Sequence, residues 1–484
     1  MVQGYPQISK WVTFFLFPFR FFVEGRDALL GALRKSTDRW QESPLHDQQE
    51  SNYFLPYTRD FLRSEVSHFV FQLPEKQPRS LKVSGYDELF PELVAIQLHL
   101  FPLGIGILSL EVKGKSALSF DKLLNFNEVF RYPIKAHRDH NLPQISLQIG
   151  PKQIPEDIHS CQGLAPLVCH FLQDGKEALE PLPLNERLLV YSYAALDRNS
   201  LGQDYNLDDL FFKFLFVDRA DDPLPDADFR RELLDIHEYR RWRSYVYSDS
   251  PQSIRFGFSR STGVVMGLES WFFNELVFQH FRTMYYDMAL ILLFHRTALL
   301  KLSSGISAIK FTEPRERRDK IRRVREHVLE FTNRYWFGEI TNPDQGLEMF
   351  DHWKKVLRNQ ALFDEVPAKL REDDDLRNLH TERLNNTFTV LTAGTYLFLP
   401  LALTAYYLAV PKLTSLLTIL ALFFFAVSFA FAFLITVRFS TAMWELLQDV
   451  STGQPIKVVM RKHWQKLTRY VRQAYKRLKS WKPL

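Results

Sequence analysis

Two long stretches without a single charge constrain this chain more than anything else in it. Between Arg383 and Lys412 lie 28 uncharged positions, 384–411, and between Lys412 and Arg438 lie 25 more, 413–437. A membrane-spanning helix needs about 20 consecutive apolar residues, so each stretch is long enough to cross a bilayer. Almost nothing separates them, which predicts a helical hairpin with a very short far-side loop. A pair of buried core helices is the poorer account, because no soluble core needs a run such as LTILALFFFAVSFAFAFLITV. Arg377 and Arg383 precede the first stretch, and Arg438 with a basic tail follows the second. Lysine and arginine favour the cytoplasmic side, so both termini are expected there, in a multi-pass protein of the cell's inner membrane.

The rest of the chain is not membrane-like. It has 484 residues, 46% of them hydrophobic, and a net charge of +5. The last 47 residues carry eleven Lys/Arg and two acids, a net of +9, which leaves the remainder near −4. The tail from Ile456 to Trp481 repeats apolar residues at helical spacing, with Lys and Arg between them. It suits either an anionic inner leaflet or packing on the protein's own helices. The two cysteines, Cys161 and Cys169, fit neither a zinc signature nor a disulfide framework.

The expected fold class is α+β: a cytoplasmic α/β domain plus a helical bundle whose long stalk helix leads into the transmembrane hairpin. Residues 1–59 are read as a helical N-terminal extension. WVTFFLFPFRFF, from Trp11 to Phe22, is too short to span a bilayer and is expected as a buried helix or turn, or as an interfacial membrane contact. Residues 60–269 form the α/β domain. Within it Glu92–Gly114 reads as a hairpin around Pro102-Leu103-Gly104, RLLVYSYAAL and RFGFSRSTGVVMGL read as strands, and SFDKLLNFNEVFRY has helical spacing. Residues 270–383 form the bundle and stalk. The apolar run from Phe272 is interrupted by Asp287 and His295 and is expected as a core helix of the bundle. NPDQGLEMFDHWKKVLRNQ is expected as a helix capped by Asn342 with Pro343 in its first turn. A last helix is expected to start near Pro367 and continue into the first span, about 65 Å in all. Residues 384–437 form the hairpin, with spans 384–410 and 413–437, and 438–484 form the basic cytoplasmic tail.

Few motifs point to chemistry. Gly104 to Gly106 is not a dinucleotide fingerprint, since no third glycine follows and no helix starts there. HRDH, His137 to His140, suits a polar loop better than a metal site, and Cys161, Cys169 and His170 read as packing residues. Asp373, Asp374 and Asp375 are either a solvated face or, in a symmetric oligomer, an acidic ring that gathers cations. Nothing requires an enzyme.

The first uncharged stretch resembles the pore helix of the CorA family of divalent-cation channels. That family carries an asparagine, then Val-Leu-Thr, seven mostly apolar residues and Pro-Leu. Here these are Asn385, Val390-Leu391-Thr392, AGTYLFL and Pro400-Leu401. The resemblance implies a homo-oligomer, of five copies in the family's pattern, in a lipid bilayer, with magnesium as substrate or regulator, no other cofactor and no nucleic-acid partner. It places Asn385, Thr389, Thr392 and Thr395 along the pore, although hydrogen bonds between helices explain those threonines equally well. The family's Gly-Met-Asn mouth falls on Ala409, Val410 and Pro411. Magnesium sheds its water reluctantly, and these side chains offer that hydration shell no polar atom. Altered cation selectivity, gated from the cytoplasmic domain through the stalk, is therefore expected. Some CorA-like proteins belong to prokaryotic antiviral systems switched by a nucleotide signal, so a signal-activated effector is the first alternative. A non-conducting membrane scaffold is the second.

Overall fold

The computed structural model describes residues 5–370, apart from short internal stretches that include 135–141, 156–161 and 242–253. The expected transmembrane hairpin and tail lie outside the described residues.

The hairpin around Pro102-Leu103-Gly104 is the framework of the fold. Two strands, Glu92–Phe101 and Ile105–Lys113, pair antiparallel from Glu92↔Lys113 to Phe101↔Ile105. Leu103 and Gly104 turn the chain with φ of 59° and 68°. A Cβ at Gly104 would lie 2.1 Å from the Phe21 carbonyl oxygen, so glycine is required by close approach as well as by conformation.

In chain order the strands are β1 (Gln7–Arg20), β2 (Gln41–Glu42), β3 (Phe69–Gln72), β4 (Arg79–Val83), β5 and β6 (the hairpin), β7 (Leu118–Ser119), β8 (Ile145–Ile149), β9 (Lys152–Ile154), β10 (Leu189–Leu196), β11 (Glu238–Tyr239), β12 (Arg255–Phe258) and β13 (Thr262–Leu268). The helices are α1 (Arg26–Lys35), α2 (Pro56–Arg63), α3 (Phe120–Phe130), α4 (Ala165–Phe171), α5 (Leu207–Phe216), α6 (Ala227–His237), α7 (Phe278–Arg282), α8 (Met284–Ile309), α9 (Pro314–Glu330) and α10 (Asp344–Val356). One sheet runs β11-β12-β13-β10-β1-β6-β5-β3-β2, with β7 beside β1, and a second runs β4-β8-β9. The β10–β13 pair is parallel, and α5 and α6 lie in its crossover.

β1 corrects the expected helical extension. Residues 7–20 are a strand between β6 and β10, so the N-terminus is part of the sheet. Both of its faces are covered. Phe15 packs on Phe130 and Phe126 of α3, with ring centroids 4.5 and 6.0 Å apart. Phe14 packs on Tyr286 of α8 at 4.8 Å. A strand buried on both faces reads as a continuous apolar run without alternation, which is why WVTFFLFPFRFF does not look like a strand. Pro18 is tolerated because pairing with β10 ends at Leu16↔Leu189. Beyond that register β10 no longer pairs with the strand, so the missing N–H of Pro18 leaves no gap in the β10 ladder.

The apolar run from Phe272 is a core element that covers the sheet and also meets helical segments, with Phe294 6.2 Å from Phe331 and the Asn359 amide donating to the Leu292 carbonyl at 3.0 Å. It is also segmented: a π-helical turn at Phe272–Val277, then α7, a break at Thr283 with φ −121° and ψ −92°, then α8. Among the described residues, Phe272–Ala308 is the one helical stretch long and apolar enough to cross a membrane, and 67% of its apolar window is buried inside the protein. Tyr191 stacks on Phe281 at 4.0 Å, and Phe101 packs on Phe294 at 5.1 Å with the rings tilted.

Two smaller expectations are also corrected. α10 starts at Asp344 with Pro343 at its N-cap and no side-chain cap, so Asn342 does not cap it. The last described helix begins at residue 359, following Arg358 at φ 57°, and Pro367 lies inside it.

The chain divides into two compact units, Met1–Leu302 with Leu329–Asp364, and Ser303–Val328 with Glu365–Leu484. The first holds both sheets. In the second, Ile306, Ile321, Val366 and Leu370 are buried, and Lys369 donates to Ser303 Oγ at 2.9 Å while pairing with Glu365.

Candidate functional site

The small sheet pairs β8 antiparallel with β9, and α4 follows in the chain. Together with the segment 173–184 they enclose a cavity of about 1190 Å³ within the first unit. Its apolar lining includes Leu73, Ile154, Leu172, Leu179 and Leu182. Leu73, Ile154 and Leu172 are buried.

Its charged lining is mostly cationic: Arg39, Arg79, Lys152 and Lys176, with His170 beside them. Arg79 donates to the carbonyls of Val94 (3.1 Å), Leu73 (3.1 Å) and Pro74 (2.7 Å). Arg39 pairs with Asp174 at 3.0 Å, while its Nη1 is buried without a hydrogen-bond partner. Glu180 is the one acid among the described lining residues, and Lys301 pairs with it at 2.8 Å. Cys169 lines the same space and is a free thiol. Burial raises its pKa, and the nearby Lys176 charge opposes that shift more weakly.

A second polar feature lies between the large sheet and α8. His68 Nδ1 is 2.9 Å from the Leu62 carbonyl oxygen. His68 Nε2 is 3.1 Å from His99 Nδ1, and His99 Nε2 is 3.0 Å from the Tyr286 hydroxyl. That hydroxyl lies 2.8 Å from Ser109 Oγ. A carbonyl only accepts, so His68 Nδ1 carries a proton; with both rings neutral, His99 donates to His68 and Tyr286 donates to His99. Both histidines are buried, at 3% and 1% exposure. Such a satisfied chain fixes α8 on the sheet and needs no catalytic role.

None of the residues expected to carry conduction falls in the described part. Asn385, Thr389, Thr392, Thr395, the mouth Ala409, Val410 and Pro411, and the acids Asp373, Asp374 and Asp375 all lie outside it, as do His137 to His140 and Cys161. Among the described residues no group of three or more His, Cys, Asp or Glu is arranged to hold a metal ion. The cavity was not legible in the sequence: its cations come from positions 39, 79, 152 and 176, which form no motif. CQGLAPLVCH marks Cys169 and His170, but nothing in it says that they share a cavity with distant cations. No family model, curated protein or solved structure matches the chain.

Proposed function

We propose that this protein is a CorA-like homo-oligomeric membrane channel with altered cation selectivity, gated from its soluble part through the helix that enters the first span. The observation that carries the reading is the pattern Asn385, Val390-Leu391-Thr392, Pro400-Leu401 inside the first of two adjacent uncharged stretches. The described helix over 359–370 supports it, because it is still helical 14 residues before the uncharged stretch begins at 384. The reading is non-enzymatic: the chain binds, moves and conducts. Ala409, Val410 and Pro411 cannot hold hydrated magnesium by polar side chains, and Lys412 beside them repels a dication.

Ion flux into liposomes containing the full chain tests this directly, with magnesium set against potassium and sodium. Monovalent or unselective flux is expected. Magnesium-selective flux would overturn the selectivity argument, and a chain that stays silent under every condition, and monomeric in mild detergent, would favour the scaffold. The cavity in the first unit favours one refinement, a channel switched by a small ligand.

A further inference from the structure

We infer that the cavity between β8–β9, α4 and the segment 173–184 binds an amphiphilic organic anion, one with a charged head and an apolar body. Three observations point there together. The space, about 1190 Å³, is slightly larger than the range that takes drug-sized ligands. Its floor is apolar and buried, so an apolar body gains by displacing water from Leu73, Ile154 and Leu172.

Charge decides the sign of the head. Of the described lining residues, Arg39 is balanced by Asp174 and Glu180 by Lys301. Lys152 and Lys176 line the same space and make no ion pair among the described residues. The described wall therefore carries a positive excess next to an apolar floor. Both lysines are exposed, so solvent weakens their long-range field, and an anion gains from them by direct charge-assisted hydrogen bonds. A neutral ligand gains nothing from them, and a cation is repelled.

This inference stands without the channel reading, because binding is read at the cavity and conduction at the membrane. Cys169 provides the readout. In a full chain carrying Cys161→Ser it is the only thiol, since the sequence holds two cysteines, and its alkylation by iodoacetamide reports occupancy. Phenyl phosphate and octanoate are the anionic probes, and benzyl alcohol is the neutral control. At saturation an anion is expected to slow alkylation about fivefold or more while benzyl alcohol leaves the rate unchanged. Lys152→Gln with Lys176→Gln is expected to raise the half-protecting concentration about tenfold, the scale of a lost charged hydrogen bond. These lysines are exposed, so the double variant should fold. Titration calorimetry of phenyl phosphate and octanoate into the unsubstituted chain checks that Cys161→Ser has not changed the site.

Protection by phenyl phosphate alone assigns an organophosphate head, and protection by octanoate alone assigns an aliphatic carboxylate. Protection by both assigns the charge itself. The inference is overturned if neither anion protects or binds, if benzyl alcohol protects as well, or if the double variant is protected unchanged.

Discussion

His295 shows how far burial alone can set the behaviour of one side chain. It is fully buried, its Nε2 donates to the Tyr335 carbonyl at 2.6 Å, and its Nδ1 has no hydrogen-bond partner. Burial pushes its pKa down to about 3, with the Tyr335 bond acting in the opposite sense and the Lys354 charge adding to the fall. The unfolded imidazole takes a proton near 6.5 and the folded one does not. Stability is therefore undiminished above that pH and falls as pH drops toward 3, by up to about 1.4 kcal/mol per unit from this residue. His295→Gln keeps a donor for Tyr335 and removes the titration. Denaturant melts between pH 7 and 4 should show a flatter slope for the variant, even though its stability at pH 7 is lower. An unchanged slope would mean that His295 is not the group responsible. His352, also lowered by burial, contributes in the same direction and is kept in both proteins. Gly104 offers a second test at this scale. Gly104→Ala puts a methyl against the Phe21 carbonyl at positive φ, and a loss of about 2–4 kcal/mol is expected from chemical denaturation.

At the scale of elements, β1 separates what local patterns say from what packing decides. The β5–β6 hairpin is legible because Pro102-Leu103-Gly104 punctuates two apolar runs, and α3 is legible because Phe120, Leu123, Leu124 and Phe130 recur at helical spacing. β10, β12 and β13 also fall where strand-forming residues cluster. β1 fails such a reading, since its run is apolar on both faces and carries Pro18 and Arg20. Its position in the sheet makes a clear prediction. Phe15→Ala should cost about 3–5 kcal/mol, whereas Phe22→Ala, 49% exposed, should change stability by about 0.5 kcal/mol or less. Equal, small effects in urea melts would contradict β1 as a buried strand.

For the whole molecule, the sheets and the helices that cover them bury an apolar core of their own, while the proposed spans lie beyond residue 383. A chain ending at residue 370 is therefore expected to fractionate as a soluble, cooperatively folding protein, and the full chain to sediment with membranes until detergent is added. Membrane retention of the shortened chain would move the anchor into the described part, where Phe272–Ala308 has the length and apolarity for it. Exposed Trp271, at 76%, would then be the first residue to examine.

By itself, the sequence determined the uncharged stretches 384–411 and 413–437, the motif within the first, and the strands and helices whose periodicity is local. Those features depend on neighbours along the chain. Only the tertiary structure decided that residues 7–20 lie between β6 and β10, that the apolar run from Phe272 covers a sheet, and that Arg39, Arg79, Lys152 and Lys176 surround one cavity. Burial and charge proximity are set by which distant segments pack together, and apolarity alone cannot distinguish a helix covered by protein from one covered by lipid.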